Sequence, residues 1–213
     1  MSLFLGKIHF WLFNKIKWFE NLEGNIIDLA KEEGFNTEEL IKEVESKFGE
    51  RLPNKPLDEL IDKNNIHGWL QGKIHSAERR TAFWTKFLVE ADKDNYAKLE
   101  KIYKEQGIVA ANEFKEEGKT VSTPKEIFNA MNDYILDGMP CDRVNEVILD
   151  EENMRQWKSR ICVHKDIWEE VGCDVNYFYD LRNTWIKSFV HNLNNEFEYV
   201  VEDDVKIIRH ISK

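Results

Sequence analysis

The sequence predicts an α+β protein, in which a helical N-terminal region is followed by a ββααββ module forming a four-stranded antiparallel sheet. Three observations carry this expectation. Apolar residues recur at helical spacing through the first 137 residues. After Pro140 the period shortens towards two residues. The last third then holds two pairs of short β-prone runs, each split by an acidic polar turn. Residues 1–63 make up the N-terminal helical region, and residues 64–213 hold the long helices plus the C-terminal α+β module.

Each element has a local reason. Phe4, Leu5, Ile8, Trp11, Leu12, Ile16, Trp18 and Phe19 share one arc of about 160° on a helical wheel, so residues 3–20 read as an amphipathic helix. Its aromatic face requires cover, from the same chain or from a homodimer through residues 3–20, and its lysines would also suit a membrane surface. Two short helices, residues 25–33 and 37–48, are expected next, with Gly34 as the stop between them and Asn36 or Thr37 opening the second. The prolines of residues 51–56 read as a linker, and a short helix over residues 57–63 follows. Trp69, Leu70, Ile74, Ala77, Thr81, Trp84, Phe87 and Leu88 mark the longest helix, residues 66–90. Glycine stops at Gly107 and Gly118 predict two further helices, residues 94–106 and 108–117. Thr123-Pro124-Lys125-Glu126 is a capping box with proline at the first helical position, opening a helix expected to reach Asp137. Residues 143–149 and 154–163 read as a hairpin, residues 165–171 and 176–193 as helices, and residues 197–201 and 205–211 as a second hairpin.

Composition sets bounds on function. The 213 residues include 40 Asp+Glu against 30 Lys+Arg, a net charge of −10, and the 42% hydrophobic content can build a core without disulfides or a structural metal. An acidic chain is ill suited to phosphate backbones, so no nucleic-acid partner is expected. Charged residues interrupt every apolar run well short of the ~18 residues a membrane span needs. Cys141, Cys162 and Cys173 form an odd set without a C-x-x-C pair, and the N-terminus lacks a small-residue cleavage site, which together predict a reducing, cytoplasmic setting. No phosphate loop, dinucleotide fingerprint or Gly-x-Ser-x-Gly elbow is present, and no cofactor is called for.

Four groups of residues have chemical potential. Cys162 and His164 offer a thiol and an imidazole, a nucleophile and base if a turn after Val163 brings them together; in an extended strand they sit ~7 Å apart, and the alternative is a buried thiol beside a helix-entry histidine. With Cys141 and Cys173 they would make a zinc set, but the gaps match no compact zinc motif. Arg182 falls inside the apolar arc of Phe178, Leu181, Trp185, Ile186, Phe189 and Leu193, so it needs a ligand carboxylate, an internal ion pair or a route to water. His67, Gln71 and Glu78, with His75 a step further round, form a polar stripe on the long helix that faces a groove, a metal or solvent.

The segment Ser159-Arg160-Ile161-Cys162-Val163-His164, followed by Trp168-Glu169-Glu170-Val171-Gly172 and the terminal hairpin, resembles the L-2-amino-thiazoline-4-carboxylic acid hydrolase-like proteins, which share a layout with 4-vinyl-reductase-like domains. The similarity spans residues 107–211; the terminal hairpin carries Asp203-Asp204 at its turn where the family often has cysteines nearby. The resemblance implies a pocket between sheet and helices, and hydrolysis of a cyclic C–N bond of a small carboxylic acid with Cys162 and His164 near the reacting centre. The expected partner is an anionic small molecule, with Arg182 as its binding residue. A non-catalytic ligand-binding or protein-interaction module on the same scaffold is the competing expectation.

Overall fold

The structure is a computed structural model that describes residues 5–211. Among them are eight α-helices: α1 (Lys7–Glu32), α2 (Thr37–Phe48), α3 (Leu57–Leu60), α4 (Ile66–Ala91), α5 (Asn95–Glu116), α6 (Pro124–Asn132), α7 (Lys165–Glu170) and α8 (Val175–Leu193). The four strands are β1 (Asn145–Asp150), β2 (Met154–Ser159), β3 (Phe197–Glu202) and β4 (Val205–His210). The α+β architecture predicted from periodicity is the one observed, with every described strand falling after Pro140.

The sheet has the order β1-β2-β4-β3 and is antiparallel throughout. The two hairpins join through β2 and β4, where Trp157 lies opposite Lys206 and Arg155 opposite Ile208. A bulge between Val147 and Leu149 shifts the register of the edge strand β1. Trp157, Phe197, Tyr199 and Ile208 share one face, and α6 and α8 cover it, with the Phe128 ring edge-on to Trp157 at 4.9 Å.

Four helices depart from the local expectation, the shortest being α3, which ends at Leu60 rather than at residue 63. The breaks anticipated between residues 20 and 25 and at Gly107 are absent: α1 runs 26 residues and α5 runs 22. In α1 the polar residues Glu20 and Glu23 are not a loop but buried acids that pair with Arg80, so the helix continues through them. In α5 Gly107 is a contact point: a Cβ there would stand 2.6 Å from the Trp185 carbonyl of α8. Glycine allows the two backbones to approach at this crossing. Conversely, α6 stops at Asn132 rather than at Asp137, and Tyr134, Ile135 and Leu136 bury their side chains from a turn. That early exit leads the chain down to Asp137 and to Gly138, whose φ of +69° suits glycine.

Two apolar clusters form the core. One joins the second half of α1 to α5, α6, α8 and the sheet. The other joins the first half of α1 to α3, α4, α7 and the start of α8 through Leu12, Ile16, Leu70, Ile74, Trp168 and Phe178. Much of the N-terminal aromatic face is therefore covered by the same chain, while Ile8 and Phe10 stay exposed. Residues 3 and 4 of the expected first helix lie outside the described residues. No helix among the described residues is long and apolar enough to cross a membrane.

Candidate functional site

Between the second core cluster and the sheet, four elements deliver charged side chains to one point. Glu78 comes from α4, Asp137 from the turn after α6, His164 from the entry to α7, and Arg182 from α8. His164 is the hub. Its Nδ1 lies 2.9 Å from Glu78 Oε2 and its Nε2 lies 2.9 Å from Asp137 Oδ1. The imidazole packs on the Phe178 ring with centroids 4.0 Å apart. Asp137 Oδ1 also accepts from Arg182 Nη1 at 2.8 Å, and its Oδ2 accepts from Asn145 Nδ2 at 2.6 Å. Arg182 Nη2 donates to the Leu136 carbonyl, and the guanidinium lies over the Phe178 face at 4.3 Å.

Burial acts against every charge here, and pairing overcomes it. Desolvation would draw the His164 imidazolium below its ordinary value, but the Glu78 charge and the hydrogen bonds to both carboxylates reverse this, and the ring titrates above that value. Desolvation likewise pushes Asp137 up, yet the His164 hydrogen bond and the Arg182 charge hold its carboxyl well below the usual range. Lys15 of α1 has burial as its dominant influence, which brings its ammonium down to about 8, while Asp137 and Arg182 pull in opposite directions. Its Nζ rests over the Trp11 ring, 3.9 Å from the centroid.

The sequence-expected site residues are brought into one neighbourhood but in different roles. Neither ring nitrogen of His164 faces Cys162: Nδ1 lies against Glu78 and Nε2 against Asp137. Cys162 is exposed, and its Sγ accepts from Tyr179 Oη at 2.8 Å and from the Lys165 amide at 3.2 Å. Arg182 pairs with an internal carboxylate, Asp137. The three cysteines do not converge with His164: Cys173 is buried while Cys141 and Cys162 are exposed, and no metal-holding group of His, Cys, Asp or Glu occurs among the described residues.

One acceptor in the cluster is left over. Glu78 is 1% exposed, and its Oε1 has no hydrogen-bond partner among the described residues. Glu78 lines a cleft of about 210 Å³ between α4 and the 138–142 turn, together with Gln71, His75, Gly138, Asp142 and Val163. The polar stripe of the long helix thus faces a groove; His67, its remaining member, turns instead to the His9 ring at 5.7 Å. The space between sheet and helices beside Asp137, Tyr179, Arg182 and Lys206 is only about 20 Å³, room for about one water molecule. A larger concavity lies elsewhere, an open groove of about 1300 Å³ between α1 and α5 lined by Asn14, Asn21, Asn25 and Glu113, and no unpartnered buried polar atom faces it among the described residues.

Asp137 and Asn145, which complete the charge cluster, and Asp142, which lines the cleft, are the candidate-site residues that pattern reading missed. Asp137 did carry a signal, since an acid at an expected helix C-terminus opposes the helix dipole and asks for another purpose. Asn145 carried none. No known protein family matches the sequence, and neither a curated protein nor a solved structure matches it.

Proposed function

We propose that this chain is a small-molecule-binding protein whose ligand sits in the cleft between α4 and the 138–142 turn. The observation that carries this reading is that Glu78, whose buried Oε1 is without a hydrogen-bond partner among the described residues, lines a 210 Å³ cleft. A buried acceptor without a donor costs free energy that apolar packing cannot recover, so a ligand or ordered water completes it. The test is a cleft-filling substitution at the exposed position Gln71. A thermal-shift screen of small polar molecules is expected to stabilise the wild type, and Gln71→Trp should melt at the wild-type temperature but lose the ligand response. Equal responses from both proteins would place the ligand elsewhere.

A hydrolytic reading rests on a separate observation, the exposed Cys162 thiol oriented by Tyr179 and the Lys165 amide. In that reading the sulfur attacks the ring carbon of a cyclic C–N bond in a small carboxylic acid, the C–N bond breaks as the thiol proton passes through water to the departing nitrogen, and a water molecule then cleaves the new C–S bond and returns the thiol, while His164 holds the turn in place. Cys162→Ser is expected to abolish turnover of such a substrate and to leave the ligand-induced thermal shift intact. Unchanged turnover would remove Cys162 as nucleophile.

A further inference from the structure

The geometry points to an organic cation bearing N–H donors, an ammonium or a guanidinium, as the ligand of the α4 cleft. This inference rests on the reading of that cleft as a ligand site and names the chemistry it selects. Two carboxylates, Glu78 and Asp142, line the cleft, and among the described residues no Lys or Arg lines it. Their free acceptors differ in origin. Glu78 gives Oε2 to His164 and keeps Oε1 unpartnered. Asp142 uses Oδ2 to accept from the Met139 amide, which fastens the turn, and no bond from the described residues occupies its Oδ1. His75 and Gln71, one and two turns from Glu78 at the spacing that shares a helix face, add polar groups to the same wall.

Charge and shape decide among ligand classes. An anion would meet two carboxylates with no cation among the described lining residues, and His164 and Arg182 of the adjoining cluster already face Glu78 and Asp137. A neutral donor would complete Oε1 but leave the net negative wall uncompensated. A metal ion would need a convergent donor set, and none occurs among the described residues. An N–H-bearing monocation satisfies both the missing donor and the charge, and charge-assisted hydrogen bonds to carboxylate are the stronger kind. The volume of about 210 Å³ admits a headgroup with a short stem, not an extended ligand.

The test is an NMR titration of the full chain, following the His75 ring and Gln71 side-chain amide signals. The probes are methylguanidinium, n-butylammonium, tetramethylammonium, N-methylurea, acetate and magnesium chloride. Methylguanidinium and n-butylammonium are expected to shift both reporters with saturation, while tetramethylammonium, which has charge but no N–H, binds about tenfold or more weakly. Glu78→Gln is expected to weaken methylguanidinium by about tenfold or more, and Asp142→Asn by a smaller factor. Asp142→Asn keeps the assay informative if Glu78→Gln does not fold. Saturable binding of N-methylurea or acetate at these reporters, equal to that of the cations, would overturn the cation assignment while leaving the cleft a ligand site. Saturation by magnesium alone would overturn it in favour of a metal. No response of either reporter to any probe would overturn both the cation assignment and the cleft reading.

Discussion

Two buried charge clusters hang from α4, and they are built from the same kinds of group with opposite results. On one side Arg80 is sealed: Nε reaches Glu23 at 2.9 Å, Nη2 reaches Glu20 at 2.6 Å, and Nη1 reaches the Gly49 carbonyl at 2.8 Å. Glu20 Oε2 accepts from the Leu52 amide, and no polar side-chain atom of Arg80, Glu20 or Glu23 is without a partner. Two residues earlier on the same helix, Glu78 joins His164, Asp137 and Arg182, and there one oxygen remains open beside a cleft. Buried charge is therefore not what marks a site in this molecule. The closed cluster fastens α1 and the 49–52 segment to α4, whereas the open one holds a turn and a helix entry around an incomplete acceptor.

The comparison breaks most visibly at Arg80. Arg80→Met leaves Glu20 and Glu23 facing each other in the core, and chemical denaturation should show a loss of about 3–5 kcal/mol. Adding Glu20→Leu and Glu23→Leu to the same chain should restore stability to within about 2 kcal/mol of wild type, as expected for a cluster whose only task is packing. A triple variant as unstable as the single one would show that the cluster does more than fasten helices.

His164→Gln should cost less, about 2–3 kcal/mol, because one hydrogen-bonding group is exchanged for another while two carboxylates lose their shared cation. It should also change the pH profile. His164 is raised above 6.5 in the folded protein, so its contribution is fully present below pH 6.5 and fades as pH rises through the raised value. Asp137 is depressed below 3.8, so its contribution is present above that value and fades only as pH falls through the depressed one. Wild-type urea midpoints should therefore decline from pH 6.5 upwards, and those of His164→Gln should not share that decline. Arg80, raised from 12.5 because the attraction of Glu23 and Glu20 outweighs burial, keeps its charge through the same range. A decline that persists unchanged in His164→Gln would assign it to another group.

Glu78→Gln tests the open end of the comparison. An amide can still meet His164, so thermal or urea unfolding should report a loss of about 1–2 kcal/mol, smaller than that of His164→Gln. A larger loss would mean that the Glu78 charge, not its hydrogen bond, secures His164.

The smallest expected effect is a gain. Lys15 borders the open cluster with its ammonium brought down to about 8, so below that pH the folded chain carries the cost of a buried charge. Lys15→Met should stabilise the protein by about 1 kcal/mol at pH 7, part of the relief being offset by the lost contact with the Trp11 ring. The advantage should shrink between pH 8 and 10.5, where the folded wild type sheds its proton before the unfolded chain does. A gain that does not vary over that window would point to packing instead.

Element identity was legible in the sequence wherever it depended on neighbours in the chain. The capping box at Thr123 and Glu126, the two acidic hairpin turns and the long stripe of α4 are short-range patterns, and each is found in the fold. Continuity was not. Glu20 and Glu23 resemble a helix break until Arg80, 60 and 57 residues away, supplies the partner that makes them interior, and Gly107 resembles a stop until α8 crosses it. The candidate site divides in the same way. Gln71, His75 and Glu78 stood out as a polar stripe at helical spacing, and Cys162, His164 and Arg182 as chemically capable residues. Only the tertiary structure decided that His164 would meet Glu78 and Asp137 rather than Cys162, and that Arg182 would be answered from within. Periodicity fixes which face of an element is apolar, but the partner of a buried charge is set by which distant element packs against that face.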